Sequence, residues 1–231
     1  MNDSTLTAAV FASGGGTNLQ ALLDHEVPDE RWRVGLVVSD RSDAGALDRA
    51  HASDVPTRVV ATRGRDTADV TRQTLDALRA HEVDLVLLAG YLRLVPAEVV
   101  RAFRGRMLNI HPALLPSFGG KGMYGLHVHR AVLEAGVRLT GPTVHVVDEA
   151  YDRGRILAQW PVPVHADDTP ESLARRVLVV EHRLYPRVVD HVAHCIEEGR
   201  PSGPLSLEGE GFGPAPSGQT HPYPTELTDA V

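Results

Sequence analysis

Residues Val83–Gly90 read VDLVLLAG, apolar throughout except for Asp84, and closed by a glycine. The run is too short for a typical helix and lacks the alternation of a strand with one wet face, so it predicts a strand buried on both sides. Strands of that kind belong to parallel sheets covered by helices. The neighbouring segments agree. An amphipathic stretch, DTADVTRQTLDALRAH, comes before the run, and PAEVVRAF follows it. Working back toward the start, TRVVAT, WRVGLVVSD and TAAVFA are strand-length runs, and DAGALDRAHA and TNLQALLD are helix-length segments between them. This β-α repetition predicts an α/β fold: an open doubly wound, mostly parallel sheet.

The rhythm changes after RMLNIHP. A glycine-rich stretch, the helical segment HVHRAVLEAG and two closely spaced strands, GPTVHVVDE and RILAQWPVPV, predict an antiparallel C-terminal extension of the sheet. A long closing helix is expected from DDTPESL, with Thr169 as its cap and Pro170 in the first helical position, to about Gly199. Residues 1–199 then form one folded domain. Residues 200–231, rich in Pro, Gly and Ser, read as a mobile tail.

Composition narrows the class of partner. The chain has 231 residues, 42% of them hydrophobic, enough for one sizeable core. A net charge of -7 without any Lys/Arg-rich block argues against nucleic acid or a membrane surface and favours small molecules. The single cysteine, Cys195, falls in the long helix and is read as core, and it leads us to expect a cytoplasmic protein. The opening MNDSTLTAAVFASGGG lacks a basic leader and reads as the first strand rather than a signal peptide.

Two stretches carry chemistry. In MLNIHP, Met107–Pro112, side chains two apart share one face of a strand, so Asn109 and His111 point together and Ile110 points away. Pro112 stops the strand and leaves both groups at its carboxyl end, where open α/β sheets bind ligands. The second stretch, FASGGGTNLQALL, puts a glycine turn between a strand and a helix, where free backbone N–H groups can meet a phosphate. It is no Walker loop. Leu19 also stands where a dinucleotide fingerprint has its third glycine, although Asp40, ending VVSD, keeps an NAD-binding oxidoreductase in view. His127 with His129, and His191 with His194, have spacings open to a metal, but no Cys or carboxylate pattern accompanies them, and no metal is expected.

Joined, SGGGTNLQALL, LAGYLRLVP, NIHPALLP and YDRG resemble the phosphoribosylglycinamide formyltransferases, which use 10-formyltetrahydrofolate, over about Ala8 to Gly199. The resemblance implies an enzyme of de novo purine synthesis, with 10-formyltetrahydrofolate as co-substrate and a monomeric or homodimeric state. It implies that Asn109 and His111 are catalytic, with Asp152 of YDRG as the acid partner of His111. Gly16, Thr17 and Asn18 would hold the phosphate of glycinamide ribonucleotide, and Glu181 of VVEHRLYP its ribose or amine side. Leu92, Arg93, Leu94 and Val95 would line the pterin pocket through their backbone together with Asn109, opposite Val147, Asp148, Glu149, Ala150 and Tyr151. For His127 and His145 it implies proximity alone.

Formyl transfer asks for such groups. An amine attacks the formyl carbon, a tetrahedral oxyanion develops, and the folate nitrogen leaves with a proton. The Asn109 amide and a protonated His111 supply donors from one face, and a carboxylate beside His111 favours its imidazolium. The segment SFGGKGMYGLHVH is longer than the link many relatives carry, which makes Lys121 a candidate for an anionic group; Arg65 is a weaker one. A 10-formyltetrahydrofolate hydrolase is the alternative on the same fold.

Overall fold

The computed structural model describes residues 5–205 and 207. Seven strands form one sheet in the order β3-β2-β1-β4-β5-β7-β8. They are β1 (Leu6–Phe11), β2 (Trp32–Ser39), β3 (Thr57–Val59), β4 (Leu85–Leu88), β5 (Met107–His111), β7 (Thr143–Val146) and β8 (Ile156–Gln159). The first five are parallel, and β5–β7 and β7–β8 are antiparallel. β6 (Leu139–Thr140) and β9 (Val162–Pro163) pair separately as a short ribbon, so WPVPV does not simply continue the hairpin strand as read from sequence.

The apolar strands are buried on both faces, as parallel strands require. On β4, Leu85 and Leu87 pack with helices α1 (Thr17–Leu23), α2 (Gly45–Ala52), α5 (Leu126–Glu134) and α6 (Pro170–Glu197). Val86 and Leu88 pack on the other side with α3 (Thr67–Ala80) and α4 (Ala97–Ala102). Strand order reverses about β1, which lies between β2 and β4, so the loops leaving β1 and β4 diverge and open a crevice at their carboxyl ends.

α6 starts where its cap is written. The Thr169 side chain accepts from the Ser172 N–H at 3.1 Å, and Ser172 Oγ accepts from the Thr169 N–H at 2.9 Å. Its buried Tyr185 places the hydroxyl 3.1 Å from the Leu88 carbonyl and 3.2 Å from that of Leu108. One side chain thereby ties α6 across β4 and β5, and Glu181, one turn earlier on the same face, is held over the crevice.

The expected tail begins inside the packed body. The Leu205 N–H donates to the Leu157 carbonyl on edge strand β8 at 2.8 Å, Ser202 and Leu207 are buried, and His191 Nε2 donates to the Gly203 carbonyl at 3.1 Å. Folded structure therefore passes the boundary drawn at 199, because an edge strand offers free backbone groups and PLSL offers apolar ones. The rest of the tail lies outside the described residues. No helix among the described residues is long and apolar enough to cross a membrane.

Candidate active site

β5 delivers the central pair. Leu108 and Ile110 join the core layer under α6, whereas Met107 joins the opposite layer, on the face that Asn109 and His111 share. The antiparallel register sets His145 of β7 opposite Asn109. Asn109 Nδ2 lies 3.1 Å from His145 Nε2 and donates to Asp152 Oδ1 at 3.4 Å. His145 Nδ1 donates to the Val146 carbonyl at 3.0 Å, and its Nε2 faces both Asn109 and Asp152. His145 is thus a member of the cluster rather than a neighbour. Its signal in the sequence was a register that only the folded sheet fixes.

Asp152 sits in the left-handed region at φ 54, its side chain 10% exposed, after the β7 strand. Its Oδ2 accepts from the Gly120 N–H at 2.8 Å and lies 3.6 Å from His111 Nδ1; its Oδ1 lies 3.6 Å from His145 Nε2. Burial works against the charge, but the His145 imidazole, the charge of His111 and the Gly120 amide outweigh it and hold this carboxyl below its usual range. Asp148, in the same loop, instead accepts from the Ala150 N–H, and Glu149 turns outward to Arg101, 3.4 Å away.

His111 departs from expectation. Its buried ring is pushed below the usual histidine range by loss of water, which outweighs Asp152 and the Phe118 carbonyl. Loss of water thus opposes the imidazolium that Asp152 favours. Nε2 donates to the Phe118 carbonyl at 2.9 Å, and Nδ1 faces Asp152. Phe118 adopts φ 56, an uncommon conformation for a bulky residue, and its turn contacts both partners of the pair.

These groups line a cavity of about 630 Å³. Leu92, Arg93, Leu94 and Val95 form one wall, and Val147, Asp148, Ala150 and Tyr151 another; Glu149 is absent from both. Leu92, Leu94 and Tyr151 are exposed apolar side chains at its mouth. The Leu92 N–H is already used by Ser13 Oγ at 2.9 Å, so Leu92 has only its carbonyl and side chain to offer a ligand. Arg93 Nε binds the buried Asp40 at 2.9 Å. That contact engages one oxygen of the carboxylate a dinucleotide ribose would need, and Oδ1 is buried with no partner among the described residues. Lys121 lines the cavity, whereas Arg65 pairs with Asp69 at 2.5 Å.

At the far end stand Asn18 and Glu181. Asn18 Nδ2 donates to Glu181 Oε2 at 2.6 Å, while Asn18 Oδ1 is buried without a partner among the described residues. Burial raises the Glu181 carboxyl to about 7 against the opposing Asn18 bond. Gly16 and Thr17 belong to the adjoining turn and not to the cavity wall, with Gly16 at φ 75. His129, buried and cavity-lining, is pushed down to about 4 by burial and by the charge of His111. His127 is exposed and packs edge-on against Tyr124, so the two α5 histidines diverge. His191 and His194 are engaged separately, with Gly203 and Glu198.

The formyl transferase family profile matches residues 6–189, and the chain belongs to that family. A chloroplastic phosphoribosylglycinamide formyltransferase of Arabidopsis thaliana is 51% identical over 186 residues, 78% of this chain and 63% of that protein. The chain thus spans less than two thirds of that relative. The Bacillus subtilis phosphoribosylglycinamide formyltransferase is 37% identical over 184 residues, 78% of this chain and 91% of that one. Among solved structures, glycinamide ribonucleotide transformylase 1 from Symbiobacterium toebii superimposes with a TM-score of 0.76 at 41% identity, covering 90% of this chain and 93% of that one.

Proposed function

We propose that the chain transfers the formyl group of 10-formyltetrahydrofolate to the amine of 5'-phosphoribosylglycinamide, a step of de novo purine (IMP) biosynthesis. The observation that carries the reading is the Asn109, His111 and Asp152 cluster, set between the cavity walls that Leu92–Val95 and Val147–Tyr151 supply, Glu149 excepted, and a polar end formed by Asn18 and Glu181. Formyl transfer needs these surroundings together.

In this reading the substrate amine attacks the formyl carbon and a C–N bond forms. The formyl oxygen, becoming an oxyanion, accepts from the Asn109 carboxamide. His111 Nδ1 takes the proton the amine loses, and Asp152 at 3.6 Å stabilises the imidazolium so formed. The same proton then goes to the folate nitrogen as its bond to carbon breaks, which returns His111 to the neutral state. Gly16, Thr17 and Asn18 hold the phosphate and Glu181 the ribose or amine side. Leu92–Val95 and Val147–Tyr151 enclose the folate, Glu149 excepted. The reading takes no metal and no covalent enzyme intermediate. A cytoplasmic location and a monomeric or homodimeric state belong to the same proposal.

Incubation with glycinamide ribonucleotide and 10-formyltetrahydrofolate, followed by assay of deformylated folate, tests it. Release that requires the ribonucleotide supports transfer. Equal release to water without it identifies a hydrolase, and binding of nicotinamide dinucleotide with indifference to folate identifies the oxidoreductase reading.

A further inference from the structure

The glycine turn after β1 is gripped from behind. The Ala46 N–H donates to the Gly14 carbonyl at 3.0 Å, Arg49 Nε to the Gly15 carbonyl at 2.7 Å, and the Gln20 N–H to the Gly16 carbonyl at 2.9 Å. In a trans peptide the C=O and the following N–H point in opposite directions. Three committed carbonyls therefore turn the N–H groups of Gly15, Gly16 and Thr17 the other way. Arg49, on α2, also donates through Nη1 to Gln20 Oε1 at 3.0 Å, so one rigid guanidinium joins the turn to the first turn of α1. The seat has no slack: a Cβ at Gly16 would fall 2.7 Å from Cα of Ala46. Just beyond the turn stands Asn18, 9% exposed, its carboxamide nitrogen committed to Glu181 at 2.6 Å.

We infer that Arg49 is a positioning residue for the nucleotide phosphate, acting through the Gly15 carbonyl to aim the backbone N–H groups of the turn. The inference rests on the formyl-transfer reading for the identity of the nucleotide. The anion itself can be probed separately. Removing the fork frees the Gly15–Gly16 peptide to rotate, so an ordered donor set becomes a disordered one and the loss falls on anion affinity, with the distant Asn109 and His111 untouched.

Inorganic phosphate titrated against thermal unfolding, with steady-state kinetics alongside, tests this on the wild-type chain, Arg49→Met and Arg49→Lys. In Arg49→Met the phosphate concentration giving half-maximal protection and the KM for glycinamide ribonucleotide both rise by about tenfold or more, while kcat and the KM for 10-formyltetrahydrofolate stay within about twofold. Arg49→Lys, able to make one bond to Gly15, recovers part of the affinity. Unchanged phosphate protection in folded Arg49→Met overturns the inference, as does an equal loss in kcat. If Arg49→Met does not fold, Arg49→Ala removes the same bond to Gly15 without adding an apolar stem and raises the same two quantities; unchanged values there also overturn it. Phosphate binding that depends on Arg49, in a protein that does not formylate the ribonucleotide, supports the inference and defeats the formyl-transfer reading.

Discussion

Glu181 is a fully buried carboxyl on α6 with one hydrogen bond, from Asn18, and burial sets its folded value at about 7 against an unfolded value of 4.5. The fold therefore binds a proton that the unfolded chain has released, and stability falls as pH rises from about 4.5 to 7, staying low above. Glu181→Gln removes that loss. Urea unfolding is expected to show the variant more stable than wild type at pH 8 by a few kcal/mol, about 3 from the linkage, and equal to it at pH 4. Asn109 and His111 were legible from MLNIHP because strand periodicity alone fixes a shared face. The protonation state of His111 was not, since it depends on how much water the fold removes from the ring, and neither was His145, which reaches Asn109 through a pairing 36 residues away.

Among the elements, the turn Phe118–Gly120 stands out because it holds both members of the His111–Asp152 pair, one through a carbonyl and the other through an amide. The sequence marked this glycine-rich stretch as unusual but gave no sign that its backbone meets the reacting groups, since backbone contacts leave no residue signature. Gly119 has no room for a side chain: an added Cβ would meet Leu115 Cδ2 at 2.5 Å and Asp152 Cβ at 3.1 Å. Gly119→Ala is expected to displace Asp152 and lower the single-turnover rate about tenfold or more with little change in nucleotide KM. The start of α6 offers a contrast, for there the sequence is sufficient: DDTPES contains the cap, the proline and the reciprocal serine. Thr169→Ala is expected to cost about 1 kcal/mol in urea unfolding, with kcat unaltered.

At the scale of the whole molecule, the doubly wound sheet followed from VDLVLLAG and its neighbours, and the crevice followed from where such a sheet reverses its strand order. What composition concealed was the end of the fold. Pro and Gly made the segment after Gly199 read as free chain, yet Leu205 and Leu207 use it to cover β8 and the core beside it. Leu207→Ala is expected to destabilise the protein by about 2 kcal/mol in urea unfolding without touching KM for either substrate. The pairing of Asn109 and His111 on one side of one strand is the feature on which the chemistry turns, and it can be tested at saturating substrate with kcat for Asn109→Ala, His111→Ala and the double variant. Because both groups serve a single tetrahedral centre, each single change is expected to lower kcat about 100- to 1,000-fold, and the double variant to fall no more than about tenfold below the worse single. Losses that multiply in full, or single variants within a few-fold of wild type, would contradict a shared reacting centre.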